Sequence, residues 1–295
     1  MKNPHTLLPA TRALLAAFLL AGAGAGITRS AEYTVAPGGS LPSTGVIAAS
    51  DTITLQGDVA VPASYQLAAK LVLIRSSDPD TPRTITFTSA TPTYFFRITS
   101  TGVWGFDNII ITGGNSNGTS YGGAITFHHS VAGANTIAGK FTATNNYGIL
   151  GGGVYTHAAA VDLVFTDTVR FLNNTGRDGG GAVYAKGNLE FKDSAYFEGN
   201  YGNGGGAVRL PTNSKSLLLA KNAVFVSNTS PGHAGAILLQ GDYYIGGSST
   251  FANNTASGTS NYGGAIFMFT QDNVTATGTL DATLGDITFT GNTHR

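Results

Sequence analysis

The sequence predicts an all-β fold: a right-handed parallel β-helix with three short strands per coil of roughly 28 residues. Three observations carry that prediction. First, F-x-x-N, a glycine-rich turn and G-G-A-V follow one another twice within residues 171–210. Phe171 and Asn174 lead to Gly180-Gly181-Ala182-Val183, and Phe197 and Asn200 lead to Gly205-Gly206-Ala207-Val208. The copies stand 26 residues apart at the Phe and 25 at the Ala. Second, both halves recur along the chain. The Phe half returns at Phe225–Asn228, Phe251–Asn254 and Phe289–Asn292, with a looser Phe141/Asn145. The glycine half returns at Gly122-Gly123-Ala124-Ile125, Gly152-Gly153-Val154-Tyr155, Ala234-Gly235-Ala236-Ile237 and Gly263-Gly264-Ala265-Ile266. Third, an apolar residue stands six before each repeat Phe, at Phe165, Phe191, Leu219 and Ile245. Each apolar segment is too short for a helix, so the three read as strands.

One coil of short strands cannot bury its inward side chains, but stacked coils close the interior, each strand pairing in parallel with its equivalent about 4.8 Å away. Equivalent residues then superpose, so Phe171, Phe197, Phe225 and Phe251 are expected to form an internal aromatic column. The Asn after each Phe is expected at a corner, bonding backbone and tolerating left-handed geometry. The paired glycines are expected to supply positive φ and close backbone approach at the next corner. About nine coils would make a rod of roughly 45 Å.

Taken in order, residues 1–25 read as an export signal. Lys2 and Arg12 give a positive start, residues 13–20 an apolar core, and Ala21-Gly22-Ala23 and Ala23-Gly24-Ala25 small-residue cleavage sites. Cleavage after Ala31 would put Arg29 where a small residue is preferred. An uncleaved anchor is the competing reading, but the run falls short of the roughly 20 apolar residues a span needs. Residues 32–118 carry β-branched runs (Thr52–Leu55, Leu71–Ile74, Thr84–Phe87, Ile109–Thr112) split by Gly, Pro, Asn and Asp. They are expected to form an N-terminal cap and the first coils; a separate small β domain is the alternative. Residues 119–295 bear the repeats, and Phe289-Thr290-Gly291-Asn292 opens a copy whose glycine half does not arrive, so the repeat region is expected to be incomplete at its C-terminus.

Composition narrows the function classes. Sixteen basic and sixteen acidic residues leave no net charge, and nothing suggests a nucleic-acid partner. Charged residues make up 11%, against about a quarter in ordinary domains, and there are 41 glycines. An apolar share of 42% argues against disorder. The absence of cysteine removes any disulfide framework and all thiol chemistry.

The alternation of G-G-A-[IV] with F-x-x-N resembles the repeats of chlamydial polymorphic outer-membrane proteins and related autotransporter passengers, over residues 121–292. The resemblance implies a pectin-lyase-like β-helix at the outer-membrane surface of a Gram-negative-type bacterium, often adhesive. Export in that family runs through a C-terminal membrane barrel that is not present in this chain, so membrane attachment would depend on it. A monomer binding an unknown surface protein or carbohydrate is the expectation, with no cofactor and no metal.

Catalysis is disfavoured by the side chains available. Glycoside hydrolysis needs two carboxyl groups about 5–9.5 Å apart, and the chain has no Asp-Asp pair. Asp162, Asp167, Asp178, Glu190 and Asp193 read mostly as turn or outward-facing acids; Glu190 and Asp193 near Glu198 make the one grouping that can be assembled. His128 and His129 are adjacent on a strand and point to opposite faces, while His157 and His233 sit beside glycine turns without a partner at ligand spacing. The glycine turns are not phosphate cradles, since no helix follows them. The matches at Asn173-Asn174-Thr175 and Asn228-Thr229-Ser230 to a glycosylation acceptor arise by chance from F-x-x-N followed by Thr.

The glycine strand also predicts a surface. With Ile125, Val183, Val208, Ile237 and Ile266 inward, Phe127, Ala185, Leu210, Leu239 and Met268 follow inward two residues on. Thr126, Thr156, Tyr184, Arg209, Leu238 and Phe267 then face outward, and the opposite phasing would bury Arg209. Tyr184, Arg209, Leu238 and Phe267 are therefore the candidate binding row, unless a neighbouring segment covers them. The resulting expectation is a secreted or surface-displayed passenger that binds rather than catalyses. The alternatives are a polysaccharide lyase or hydrolase, and a structural envelope protein without a ligand.

Overall fold

A computed structural model describes residues 30–68, 71–116, 121–258, 263–268, 280–281 and 285–294. The expected signal segment, 1–25, lies outside the described residues. All regular structure among them is β, and every strand pairing is parallel, as a β-solenoid requires. Among the described residues the strands form three sheets: sheet 1 with 16 strands and sheet 2 with nine run from the N-terminal coils onward, and sheet 3 with six begins at Tyr147–Gly148.

The division of each coil among these sheets differs from the expectation. The G-G-A strand and the strand six residues before the Phe both lie in sheet 1, as Val183–Tyr184 and Leu189–Phe191 show in one coil. They merge into single long strands at Val208–Leu219 and Ile237–Ile245. The F-x-x-N strand, Ala195–Glu198 in the same coil, builds sheet 2. Sheet 3 consists of two-residue strands directly after each Asn, such as Thr175–Gly176 and Tyr201–Gly202. Their inward positions, Gly176, Gly202, Ser230 and Ala256, are small and buried; that smallness hid the strand, because it offers no apolar residue to detect. Residues before 118 contribute strands to sheets 1 and 2, with Glu32–Val35 pairing Thr52–Leu55 and Val59–Val61 pairing Arg83–Phe87.

Register is strict where side chains stack. Phe171, Phe197, Phe225, Phe251 and Phe289 pair in sequence across sheet 2. Their rings lie nearly parallel at centroid separations of 5.1, 4.5, 4.8 and 5.2 Å. Phe165, Phe191, Leu219 and Ile245 form a second inward column, as the spacing predicts. The column of phenylalanines stops at the coil of Phe141. There Ala143 occupies the Phe171 position and Phe141 pairs with Val169, so the looser Phe141/Asn145 assignment was two residues out at the Phe and one at the Asn.

The repeat asparagines do more than cap corners. Asn174, Asn200, Asn228 and Asn254 are fully buried and form a ladder with Asn146 at one end and Asn292 at the other. Each Nδ2 donates to the next Asn Oδ1, as from Asn174 to Asn200 at 3.1 Å and from Asn200 to Asn228 at 2.9 Å. The second Nδ2 hydrogen goes to the carbonyl at the Phe position one coil back, as from Asn200 to Phe171 O at 2.9 Å. Each Oδ1 also accepts the preceding ladder Asn backbone N–H, as Asn200 Oδ1 does from Asn174 N at 3.0 Å. A buried amide is tolerated only when its donors and acceptor are used, and here they are. Left-handed geometry falls one residue earlier than expected, on Asn145, Asn173, Gly199, Ser227, Asn253 and Gly291.

The glycine pairs serve close approach rather than positive φ. Gly180, Gly181, Gly205, Gly206 and Gly235 keep ordinary φ; positive values occur at Ala234 and Gly263. A Cβ on Gly181 would fall on the Gly206 carbonyl oxygen, one on Gly206 on that of Gly235, and one on Gly235 on that of Gly264. Ala182, Ala207 and Ala236 follow, fully buried. Gly206→Ala is accordingly expected to cost about 3 kcal/mol, since the obstructing atom is backbone of the stacked coil rather than a side chain that can move aside. Gly45→Ala, where a Cβ meets nothing within 4 Å, is expected to leave stability unchanged; urea denaturation of both variants checks the contrast.

Candidate binding face

The outward positions of the glycine strand form one continuous row on sheet 1. Gln66, Arg97, Thr126, Tyr155, Tyr184, Arg209, Leu238 and Phe267 stand in register on successive coils. Tyr155, not Thr156, occupies this row; Thr156 lies in the inward file with Phe127. The extra glycine of Gly151-Gly152-Gly153 shifts that coil by one residue against the sequence alignment of motifs.

Of the two readings left open for the row, an exposed strip or one covered by a neighbouring segment, the structure has the covered one. Tyr184 is 7% exposed and Leu238 2%, while Arg209 and Phe267 are half-buried. The corner segments around Asp178 and Asn203 fold back over it. Arg209 Nη1 donates to the carbonyls of Asp178 at 2.9 Å and Asn203 at 3.3 Å. Its guanidinium lies 5.7 Å from the Tyr184 ring centre, and Tyr184 lies 5.7 Å from Tyr155. Tyr121, 40% exposed, covers Tyr155 at 5.3 Å. Burial holds the phenols of Tyr155 and Tyr184 above the ordinary tyrosine value. Arg209 thus pins its covering loops, with carbonyl acceptors in place of a carboxylate.

Towards the N-terminal end the outer face changes character. His128 follows the strand Ile125–Phe127 and His157 follows Val154–Thr156, so parallel register stacks the two imidazoles, 4.9 Å apart at 24°. His157 therefore has the neighbour its sequence position did not reveal. Arg97 Nη2 reaches His128 Nδ1 at 3.1 Å, and its guanidinium lies 5.3 Å from the Tyr94 ring centre. Partial burial, then the positive Arg97, hold His128 below the ordinary imidazole value; burial lowers His129 likewise.

These two shifts carry a pH dependence. Both rings take a proton less readily folded than unfolded, so protonation favours the unfolded chain. Stability is expected to fall as pH drops through about 6.5. Thermal melting between about pH 7.5 and 5.5 checks this: the midpoint should decline in the native protein and decline less in His128→Gln. A midpoint that rises on acidification would refute the assignment.

The acids are dispersed into separate structural bonds. Asp193 pairs with Lys221 at 3.0 Å, Glu198 accepts from Tyr196 Oη at 3.0 Å, and Asp178 pairs with Arg177 at 2.6 Å. Asp162 accepts from Asn188 N at 2.7 Å. Asp167 is a correction to its reading as a turn or outward acid: it is buried, accepts from Gly139 N at 3.2 Å, and burial raises its carboxyl above the usual range. Among the described residues, no three His, Asp or Glu side chains gather as a metal site would require. Asn228, of the chance glycosylation match, is sealed in the ladder.

Fold and face together define a repeat-built parallel β-solenoid whose buried asparagines are spent on stacking coils, with an aromatic and cationic outer face on one sheet. The Chlamydia polymorphic membrane protein repeat matches this chain at residues 168–186 and 248–268. Each match contains a sheet 2 strand with its ladder asparagine and the glycine strand that follows. No curated protein and no solved structure matches the chain.

Proposed function

We propose that the protein is the exported, surface-displayed passenger portion of an autotransporter-like outer-membrane protein, acting by adhesion rather than catalysis. The observation that carries this reading is the repeat match, at two sites of a solenoid whose Asn and Phe columns continue beyond them. A stacked scaffold holds side chains at fixed spacing, which suits recognition of an extended partner. The reading takes its partner to be a protein or carbohydrate on another cell, and its secretion to depend on the apolar leader at residues 13–20.

The test is binding of the purified, fluorescently labelled protein to cultured epithelial cells. Saturable binding displaced by unlabelled protein is the expected result, with antibody labelling of intact expressing bacteria as the check on display. A signal that rises linearly and is not displaced would reduce the protein to an architectural part of the envelope. Release of fragments from a polysaccharide panel would favour the lyase or hydrolase alternative.

A further inference from the structure

Arg97 is a cation without an acid. Its recorded polar partner is His128, no ion pair joins it to a carboxylate among the described residues, and its Nε is buried with no partner. Arginine only donates, so the 3.1 Å contact to His128 Nδ1 uses the lone pair of that nitrogen and places the proton of the neutral ring on Nε2. Protonating His128 would set N–H against N–H. The groups facing His128 are Arg97 and Tyr94 from the coil before, His157 from the coil after, and His129 beside it on its own strand end. None of them is an acid. The cluster holds the fixed positive charge of Arg97 with no carboxylate to balance it among the described residues, in a chain whose net charge is zero.

An oxyanion is the chemistry that completes such a cluster: it accepts from a guanidinium edge and from imidazole N–H groups, and charge-assisted bonds of this kind are the strong ones. The surroundings narrow the carrier. The rings of Tyr94 and His128 meet edge to face at 5.5 Å, and Tyr121 lies over His157 at 6.4 Å with 40% of its surface open. Aromatic rings standing at the margin of a polar site suit the C–H face of a pyranose. We propose that Arg97, His128 and His157 form a binding site for an anionic saccharide, its sulfate ester or carboxylate held by the guanidinium and imidazoles and its ring against Tyr94 and Tyr121.

The site is expected to tighten on acidification. A bound oxyanion draws the guanidinium off Nδ1, freeing it to take a proton, and compensates the charge that otherwise opposes protonation. The proposal rests on the binding reading above only in taking the ligand to be external.

The experiment measures binding of dextran sulfate, carboxymethyl dextran and unmodified dextran to the full chain at about pH 5.5 and about pH 7.5. Binding of an anionic dextran, and not of the neutral one, should strengthen about tenfold at the lower pH. Arg97→Gln should weaken it about ten- to hundredfold at both pH values, and His128→Asn should flatten the pH dependence. The sulfated and carboxymethyl arms distinguish the two oxyanions. Imidazole NMR titration of the native protein avoids reliance on the variants: the ligand should raise the His128 pKa. Equal binding of all three dextrans, affinity unchanged in Arg97→Gln, or an unmoved His128 titration would overturn the site. Loss of cell binding with dextran binding intact would remove the adhesive reading alone, and the converse would remove this site alone.

Discussion

Asn200→Ala is expected to destabilise the fold by about 3–5 kcal/mol, since unmaking a buried polar bond costs about 1–3 kcal/mol for each group left without a partner. Truncation strands two buried donors, the backbone N–H and the Nδ2 of Asn174, which both end on Asn200 Oδ1. It also takes one donor from Phe171 O and one from Asn228 Oδ1. Asn200→Asp is expected to do no better despite its shape, because a carboxylate has no hydrogen to offer Phe171 O or Asn228 Oδ1 and carries a charge into a dry interior. Asn292, the half-buried last rung, supplies the control; its alanine variant is expected to cost about 1 kcal/mol. Urea unfolding of the three variants reads these differences. Equal small losses at Asn200 and Asn292 would mean that the ladder follows from the fold without holding it.

Phe225→Ala is the second large effect, again about 3–5 kcal/mol. The ring is fully buried between Phe197 at 4.5 Å and Phe251 at 4.8 Å, both within 4° of parallel. Removal opens a cavity between coils tied through their backbones, so the space cannot close without unpairing sheet 2. Phe225→Leu keeps most of the volume and loses the two ring contacts, for about 1–3 kcal/mol. Phe289 stacks on Phe251 at 5.2 Å but is 52% exposed, and its alanine variant is expected to lose less than half as much. If Phe225→Ala and Phe289→Ala proved equal, burial within the column would not be what the phenylalanines contribute.

Where a side chain repeats in kind, its place was legible in the sequence. Phe171, Phe197, Phe225 and Phe251 superpose as their spacing requires, and so do Phe165, Phe191, Leu219 and Ile245. Sheet 3 was not legible, because its inward residues are Gly, Ser and Ala and carry no hydrophobic period. The role of Asn174 was half legible: its recurrence marked a corner, but nothing in one coil tells that an amide bonds its own copy in the next. The cover over the outer row was not legible for a different reason. Strand alternation tells which way Tyr184 and Leu238 point, not whether a corner loop lies over them. His128 and His157 are 29 positions apart in sequence, and the extra glycine of their coil shifts the count. Only the parallel register brings their rings together.

The successive rungs Asn146, Asn174, Asn200, Asn228, Asn254 and Asn292 are separated by 28, 26, 28, 26 and 38 residues, yet their hydrogen bonds are alike. The top of each coil presents the same amide and ring as its neighbour's top, and the bottom the complement. A tandem duplication of one coil would therefore insert in register, its two new faces already matched to those it parts, while the corner loops absorb differences in length. For such a gene, recombination between its own repeats changes the reach of the protein in whole coils without a new interface having to evolve. The sequences free to diverge are those of the loops, which cover the outer face.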